Sequence, residues 1–312
     1  MGQGMATYEV IIVGGGPAGL TAGLYASRAG LNSLLAERGA FGGQMANTPL
    51  VENYPGFPEG ISGSELGSLM HRQGIRYGLE VAITEVTGIA ERQVYTVSTS
   101  EGDIEGATVI IAAGSVHRTL RVPGEERLSG RGVSCCATCD GFFFRDREVA
   151  VVGGGDVAIT DALELAQLAR KVTVIHRRDE LRAEQALQER AVAHPDLEFA
   201  WDTVVEEVLG AEAVEGLKLR NVKTDKRSIL KVDGLFVAIG LSPNSQPFSD
   251  VVELDDAGCI LTDETMGTSR DGVFAAGDIR SNSRCQITAA VSDGTAAAMS
   301  AFEYVQRMRR RG

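Results

Sequence analysis

The sequence lacks long apolar runs, and this absence excludes several classes of protein. Its longest runs, such as Val109–Ala113 and Leu235–Ile239, contain five residues, whereas a membrane-spanning helix needs about 20. The N-terminus has no basic segment followed by an apolar one, so a signal peptide is not expected. We therefore expect a cytoplasmic protein that does not contact a membrane.

Positive charge and cysteine are also scarce. The chain has 30 lysines and arginines against 42 aspartates and glutamates, a net charge of −12, so nucleic acid is not an expected partner. The five cysteines, which include a C-x-x-C motif, do not resemble the disulfide framework of a secreted protein. In a reducing compartment a disulfide is usually transient and catalytic.

The chain contains an internal duplication of a strand–turn–helix–strand unit. The copies occupy Gly14–Glu37 and Gly153–His176, and the first and last residues are 23 positions apart in both. A short apolar strand precedes each glycine-rich turn, at Glu9–Val13 and Glu148–Val152. The repeat predicts an α/β fold with two Rossmann-like, three-layer dinucleotide-binding domains.

The second of these domains is predicted to be inserted into the first. Irregular, proline-containing segments follow Ala112-Ala113-Gly114 and Ala238-Ile239-Gly240 and indicate two crossovers. We expect the first domain over residues 1–117 and 246–312, and the second over residues 118–245. Hydrophobic periodicity predicts a helix over Ser64–Tyr77, with Tyr77 in its core face, and a C-terminal helix near Thr295–Met308.

The first glycine turn, Gly14-Gly15-Gly16-Pro17-Ala18-Gly19, has the features of a dinucleotide site. Its first glycine permits the tight turn, its third lets a pyrophosphate approach the backbone, and its last lets helix and strand pack closely. The N-terminus of the helix then faces the phosphates. Glu37 is placed to accept a hydrogen bond from a ribose 2′-hydroxyl, and it would repel a 2′-phosphate.

The far end of the chain favours FAD over NAD at this turn. The segment Thr268–Asp278 resembles the second FAD fingerprint of flavoprotein reductases, a strand that ends in Gly-Asp. Asp278 would then bond the ribityl chain, although a strand followed by an ordinary Asp turn is the simpler alternative. Gly42-Gly43-Gln44 and Val51–Gly56 lack periodicity and are interpreted as loops over the cofactor.

The second turn, Gly153-Gly154-Gly155-Asp156-Val157-Ala158, is the same motif with a variant last residue. Where the first copy has its acid, His176-Arg177-Arg178 and then Arg182 bring three arginines. The planar fork of arginine donates bidentate hydrogen bonds to phosphate. We therefore expect NADPH rather than NADH; the alternative is a solvated basic surface.

The motif Cys136-Ala137-Thr138-Cys139 ends 14 positions before Gly153. Its two thiols form a two-electron couple beside a site for a two-electron donor. No histidine has the spacing that would complete a zinc site, so no metal is expected; an inert buried pair is the other alternative. Asp140 follows directly and is a candidate proton donor or acceptor, or else a helix cap.

Together these motifs resemble the low-molecular-weight thioredoxin reductases over about residues 8–305. The resemblance implies that Cys139 faces the flavin, that Cys136 attacks thioredoxin, that Asp140 is the acid–base residue, and that the protein is a homodimer. It also implies FAD contacts from Asn53, Asp278 and Gln286. The residues expected to bind FAD or NADPH are Gly14, Gly16, Pro17, Ala18, Gly19, Glu37, Arg38, Gly43, Gln44, Asn53, Ala113, Gly114, Gly277, Asp278, Gln286, Ile287, Gly153, Gly155, Asp156, Val157, Ala158, His176, Arg177, Arg178, Arg182, Ile239 and Gly240.

Three features depart from the family pattern. Cys285 stands where the family often has arginine, Ser292-Asp293-Gly294 replaces a more glycine-rich turn, and Cys135 adds a third thiol that we interpret as a bystander. The alternative functions are a ferredoxin-linked reductase or a dithiol oxidase of the same fold, and a non-catalytic flavin redox sensor. A ferredoxin–NADP reductase does not need the C-x-x-C motif, and donors other than NADPH do not need the arginines.

Overall fold

A computed structural model describes residues 8–48, 50–91 and 94–311. The chain divides into two compact units: unit 1 comprises Met1–Val116 and Ser242–Gly312, and unit 2 comprises His117–Leu241. In the described residues, no helix combines the length and the apolar composition needed to cross a membrane.

The regular elements alternate between strands and helices in the first part of each unit. In chain order the elements of the chain are β1 (Tyr8–Val13), α1 (Pro17–Arg28), β2 (Ser33–Glu37), α2 (Gly63–Arg76), β3 (Glu80–Ile83), β4 (Val86–Glu91), β5 (Tyr95–Thr99), β6 (Gly102–Ile111), β7 (Ser115–His117), β8 (Val133–Ser134), α3 (Ala137–Asp140), β9 (Glu148–Val152), α4 (Asp156–Leu165), β10 (Lys171–Ile175), α5 (Gln185–Val192), β11 (Leu197–Ala200), β12 (Thr203–Leu209), β13 (Gly216–Asn221), β14 (Arg227–Leu230), β15 (Gly234–Val237), β16 (Leu241–Pro243), β17 (Val273–Ala275) and α6 (Ile287–Arg311). Short 3₁₀ helices occur at Gly43–Asn47, Gly141–Phe144 and Gln246–Phe248.

Unit 1 is built on a mixed sheet in the order β3-β2-β1-β6-β5-β4, with β17 also beside β6. Strands β3, β2, β1, β6 and β17 are parallel, and β4 and β5 add antiparallel pairings. Val13 is aligned with Ala36 and with Ile111, and Ile111 is aligned with Ala275. The carboxyl ends of β1, β2, β6 and β17 therefore meet at one edge of the sheet.

The core of unit 1 covers both faces of β1, as expected for a parallel strand. Val10 and Ile12 pack with residues of α1 and α6, whereas Ile11 and Val13 pack on the opposite face with Phe248 and its neighbours. Helix α6 crosses α1 closely, since a Cβ atom on Gly294 would overlap the carbonyl oxygen of Ala18.

Unit 2 contains a parallel sheet in the order β11-β10-β9-β15-β8 and a separate antiparallel sheet of β12, β13 and β14. Val152 of β9 is aligned with Ile175 and with Val237, so the ends of β10, β9 and β15 share one edge. Helix α4 packs on one face of β9, and residues of the antiparallel sheet pack on the other. The predicted α/β class with two Rossmann-like units is confirmed.

Two local predictions were wrong. Tyr77 was expected in the core, but it follows the last residue of α2 and is 44% exposed, with the Arg28 guanidinium carbon 5.1 Å from its ring centre. The C-terminal helix begins at Ile287 instead of Thr295, so Ser292-Asp293-Gly294 is helical and is not a turn. The small residues that suggest a turn are present because α6 passes so close to α1.

Candidate active site

The first glycine turn leaves the N-terminus of α1 open. Gly16 precedes the helix in an extended conformation, and no side chain caps the first N–H groups of α1. A Cβ atom on Gly16 would meet no atom within 4 Å, whereas one on Gly19 would overlap the carbonyl oxygen of Gly14. The open space beside the helix N-terminus fits a pyrophosphate group.

Glu37 ends β2 beside this turn. Its Oε2 accepts a hydrogen bond of 2.6 Å from the N–H of Gly15, and its Oε1 accepts one of 2.8 Å from the N–H of Gly39. A carboxylate has about four acceptor sites, so the Glu37 side chain keeps capacity for a ribose hydroxyl. Arg38, the next residue, is exposed and lies 3.9 Å from the Glu85 carboxylate.

Side-chain hydrogen bonds involve several of the other predicted FAD residues. Asn53 donates a hydrogen bond of 3.3 Å to the side-chain oxygen of Gln286, just before α6. Gln44 donates to the carbonyl oxygen of Ser115. Asn244 donates one of 2.7 Å to the carbonyl oxygen of Ala113, the residue before Gly114.

Asp278 follows Gly277 at the end of β17 and accepts a hydrogen bond of 3.2 Å from the Ser283 hydroxyl. Burial raises the pKa of Asp278, the Ser283 hydrogen bond opposes this, and the charge of Asp293 raises the pKa further. Asp293 itself forms two hydrogen bonds with Arg280, of 2.6 and 3.0 Å, and accepts the N–H of Gly277. The sequence showed no signal for this buried ion pair, which holds the Gly277-Asp278 turn.

The second glycine turn repeats the open helix N-terminus. A Cβ atom on Gly155 would meet no atom within 4 Å, and no side chain caps the first N–H groups of α4. The Asp156 carboxylate instead accepts a hydrogen bond of 2.7 Å from the N–H of Glu184. The carbonyl oxygen of Gly154 accepts the N–H of Arg182, also at 2.7 Å. The turn and the arginine-bearing segment are therefore fastened together.

His176 is buried beneath the same turn. Its side chain is 5% exposed, and its ring lies so close to Gly154 that a Cβ atom there would overlap it. Its Nε2 atom has no hydrogen-bond partner among the described residues. Burial, together with the charges of Arg182 and Arg178, lowers the pKa of His176, so the imidazole is neutral at pH 7.

The three arginines of the second site are exposed. In the part of the chain that the structure describes, no carboxylate lies within 4.0 Å of the guanidinium groups of Arg177, Arg178 or Arg182. Guanidinium groups without a protein anion fit the doubly charged phosphate of a 2′-phosphorylated ribose.

The predicted cofactor residues lie in two groups, one in each unit. The residues of unit 1 lie at or after the ends of its parallel strands, in α1, in the 3₁₀ helix Gly43–Asn47, in the loop between that helix and α2, or at the start of α6. They are Gly14, Gly16, Pro17, Ala18, Gly19, Glu37, Arg38, Gly43, Gln44, Asn53, Ala113, Gly114, Gly277, Asp278, Gln286 and Ile287. Gly153, Gly155, Asp156, Val157, Ala158, His176, Arg177, Arg178, Arg182, Ile239 and Gly240 belong to unit 2. Ligands of open α/β sheets bind at such carboxyl edges.

Cys136 and Cys139 form a disulfide in unit 2, with their Cα atoms 5.3 Å apart. Cys139 lies in the short helix α3, and its N–H donates a hydrogen bond of 3.2 Å to the Sγ of Cys136. An N–H donor stabilises a thiolate more than a thiol. The Cys136 sulfur is therefore prepared to carry negative charge when the disulfide is reduced.

The Asp140 carboxylate is held next to this disulfide by Ser134. The Ser134 hydroxyl donates a hydrogen bond of 2.6 Å to Asp140 Oδ2 and accepts one of 3.1 Å from the N–H of Cys136. Asp140 makes no capping hydrogen bond to the 3₁₀ helix that follows, so the helix-cap interpretation is wrong. Ser134, which no sequence motif indicates, links the acid to the dithiol.

Cys135 is half-buried and differs chemically from the pair. Burial first, and then the charge of Asp140, raise the pKa of the Cys135 thiol to about 11. A thiol with that pKa is protonated at neutral pH and is a poor nucleophile. This property supports the bystander interpretation.

The disulfide and the nucleotide turn lie at opposite ends of α4. The Thr138 hydroxyl, between the two cysteines, donates a hydrogen bond of 3.1 Å to Glu164 near the C-terminus of α4. The helix begins at Asp156 beside the glycine turn. At a rise of about 1.5 Å per residue, these two positions are about 12 Å apart.

Two glycine turns and a disulfide of this kind define a disulfide oxidoreductase that uses pyridine nucleotide. Residues 8–294 match the family described as pyridine nucleotide-disulphide oxidoreductase, and the chain belongs to it. The thioredoxin reductase of Listeria monocytogenes is 46% identical over 304 residues, which cover 97% of this chain and 95% of that protein.

Two further relatives agree with this assignment. A Mycobacterium leprae protein named bifunctional thioredoxin reductase/thioredoxin is 46% identical over 301 residues, covering 96% of this chain and 66% of that protein. The crystal structure of thioredoxin reductase from Streptococcus pyogenes MGAS5005 has a TM-score of 0.91 and 44% identity, covering 96% of this chain and 98% of that one. The resemblance to thioredoxin reductases is confirmed.

Proposed function

We propose that the protein reduces the disulfide of thioredoxin with electrons from NADPH, through FAD and the Cys136–Cys139 pair. The observation that carries this proposal is the disulfide itself, which lies on the same unit as a nucleotide turn whose three arginines have no carboxylate partner among the described residues. The relatives named thioredoxin reductase support thioredoxin as the substrate. One relative is named bifunctional thioredoxin reductase/thioredoxin.

The residues of unit 1 would hold FAD, and those of unit 2 would hold NADPH. Glu37 beside the first turn suits a ribose hydroxyl, and Arg177, Arg178 and Arg182 beside the second suit a 2′-phosphate. When bound, FAD would supply the two-electron chemistry that links NADPH to the Cys136–Cys139 disulfide. We propose residues 1–117 and 246–312 as the FAD domain and 118–245 as the NADPH domain.

Thiol–disulfide exchange then involves only residues of the chain and thioredoxin. The Cys136 thiolate attacks one sulfur of the thioredoxin disulfide, which forms a mixed disulfide and releases a thioredoxin thiolate. Cys139 attacks the Cys136 sulfur, restores the Cys136–Cys139 disulfide and releases the second thioredoxin sulfur. Asp140, oriented by Ser134, donates and accepts the proton that each exchange moves.

The other functions considered for this fold are less well supported. A ferredoxin-linked reductase or a dithiol oxidase would not require three arginines without carboxylate partners. A redox sensor would not require a carboxylate hydrogen-bonded next to the disulfide. The absence of a secreted disulfide framework suits a reducing compartment, and we propose the cytoplasm. The expected homodimer stays a prediction. Analytical ultracentrifugation measures the oligomeric state that would test it.

A single substitution tests the electron path. The variant Cys139→Ser should bind FAD at about one per chain and still oxidise NADPH in a single turnover, yet it should not reduce thioredoxin, because the exchange cannot be completed. Flavin absorbance measures the first reaction, and insulin precipitation with thioredoxin measures the second. The variant Cys135→Ser is the matched control and should keep turnover within about twofold, since its thiol is protonated. Thioredoxin turnover by Cys139→Ser would refute the assignment.

A further inference from the structure

The arginine segment of unit 2 carries its own competitors for a phosphate. Asp179 and Glu180 stand between Arg178 and Arg182 in the sequence. A carboxylate can occupy the same fork of guanidinium N–H groups that a phosphate would use. In the described residues, neither carboxylate lies within 4.0 Å of these arginines. The Asp179 carboxylate, which is next to Arg178 in the sequence, has a different partner.

Lys223 holds the Asp179 carboxylate. Its Nζ atom lies 2.6 Å from Oδ2 of Asp179 and 3.1 Å from Oδ2 of Asp202. Lys223 belongs to the turn between β13 and β14, 44 positions away from Asp179 in the sequence. The antiparallel sheet thus supplies the cation that pairs with an acid of the nucleotide site.

Backbone hydrogen bonds keep this turn beside the arginine segment. The N–H of Asp202 donates to the carbonyl oxygen of Arg178 at 3.1 Å, and the N–H of Val222 donates to that of Asp202 at 2.6 Å. The N–H of Lys223 donates to the Asn221 side chain at 3.1 Å. Because both backbones are fixed, the Lys223–Asp179 pair orders fewer free dihedrals than a typical surface ion pair.

We propose that Lys223 is a positioning residue for cofactor selection: by holding Asp179, it keeps the guanidinium groups of Arg177 and Arg178 open to the 2′-phosphate of NADPH. This inference rests on the proposed function. Lys223 acts through Asp179 and does not bind the nucleotide. The ion pair lowers the pKa of Asp179 and raises that of Lys223, so both groups stay charged at neutral pH.

The test uses FAD-loaded protein and two fragments that differ only in the 2′-phosphate, 2′,5′-ADP and 5′-AMP, with binding measured by calorimetry. The variant Lys223→Gln should weaken the binding of 2′,5′-ADP by up to about fivefold, the upper end for an exposed ion pair, and should leave the binding of 5′-AMP unchanged. Lys226→Gln is the matched control, because Lys226 is an exposed lysine of the same turn with no ion pair among the described residues. Its effect should be smaller than about 1.5-fold.

The double variant distinguishes a positioning role from a direct one. In an Asp179→Asn background there is no carboxylate to hold, so Lys223→Gln should no longer weaken 2′,5′-ADP. An undiminished loss in that background, or no loss in the wild-type background, would overturn the role of Lys223 and leave NADPH as the cofactor. Equal binding of both fragments by the wild-type protein would overturn NADPH itself, and the inference with it.

Discussion

The two glycine turns share one backbone plan and differ in what stands beneath their middle glycine. At Gly15 the neighbour is the Glu37 carboxylate, which accepts the glycine N–H. At the equivalent Gly154 it is the buried, neutral ring of His176. We therefore predict that the nucleotide is selected by the residues at the end of the second strand and not by the turn geometry. These residues are an acid in unit 1 and arginines after a histidine in unit 2.

The turns also differ in how closely the helix approaches the strand. A Cβ atom on Gly19 would overlap the backbone of the first turn, whereas the second turn accommodates the Cβ atom of Ala158, which is fully buried. Helix α1 has therefore less room than α4. The same motif tolerates one methyl group at its last position in unit 2 and none in unit 1.

The largest effect should come from reversing this last residue. Gly19→Ala should lose most bound FAD and destabilise the protein by about 1–3 kcal/mol or more, because the methyl group has no space. Ala158→Gly should keep the nucleotide turn intact and cost about 1–2 kcal/mol, through backbone entropy and the loss of one buried methyl group. Flavin absorbance and thermal unfolding measure both variants. Full FAD occupancy in Gly19→Ala would contradict the conclusion that the first turn has no space for a methyl group at this position.

The arginines should produce the next largest effect. Arg178→Ala should raise the KM for NADPH by about 10- to 100-fold, because a charge-assisted hydrogen bond to phosphate contributes about 1.5–3 kcal/mol. The KM for NADH should change little. Arg190→Ala, an exposed arginine on α5, is the matched control. Equal losses for both nucleotides would mean that Arg178 supports the fold and does not bind the phosphate.

The smallest effect should be a pH dependence that belongs to the second turn. Burial lowers the pKa of His176 below its ordinary value of 6.5. Stability is therefore complete above about pH 6.5 and falls at lower pH, because only the unfolded chain takes up the proton, by at most about 1.4 kcal/mol per pH unit. Urea unfolding at pH 7.5 and 5.5 should show a smaller pH difference in His176→Asn than in wild type. His194→Asn, in the same unit, should keep the wild-type difference.

The sequence was informative where local chemistry decides the structure. The strand predicted at Glu148–Val152 matches β9. The repeat of 23 positions located both glycine turns, because glycines at this fixed spacing after a strand are typical of such turns. Ser62, which begins the capping-box pattern Ser62-Gly63-Ser64-Glu65, accepts the N–H of Glu65 and precedes α2.

Prediction failed where contacts between segments far apart in the sequence decide the structure. Asp293 pairs with Arg280 only because α6 returns to the end of β17, and no local pattern reports that return. Ser134 became recognisable only when the fold brought its hydroxyl to Asp140. Tyr77 has helical spacing, but the helix ends before it can be buried.

The length of α4 has a consequence for what limits the rate of turnover. Thr138, between the two cysteines, contacts one end of this helix, and the nucleotide turn precedes the other end, about 12 Å away. Under the proposed function, the disulfide and the nucleotide would both have to come within contact distance of one flavin ring. We therefore predict that each catalytic cycle includes a displacement of unit 2 through the solvent. The turnover number should accordingly fall as sucrose raises the viscosity, while the affinity for NADPH stays constant.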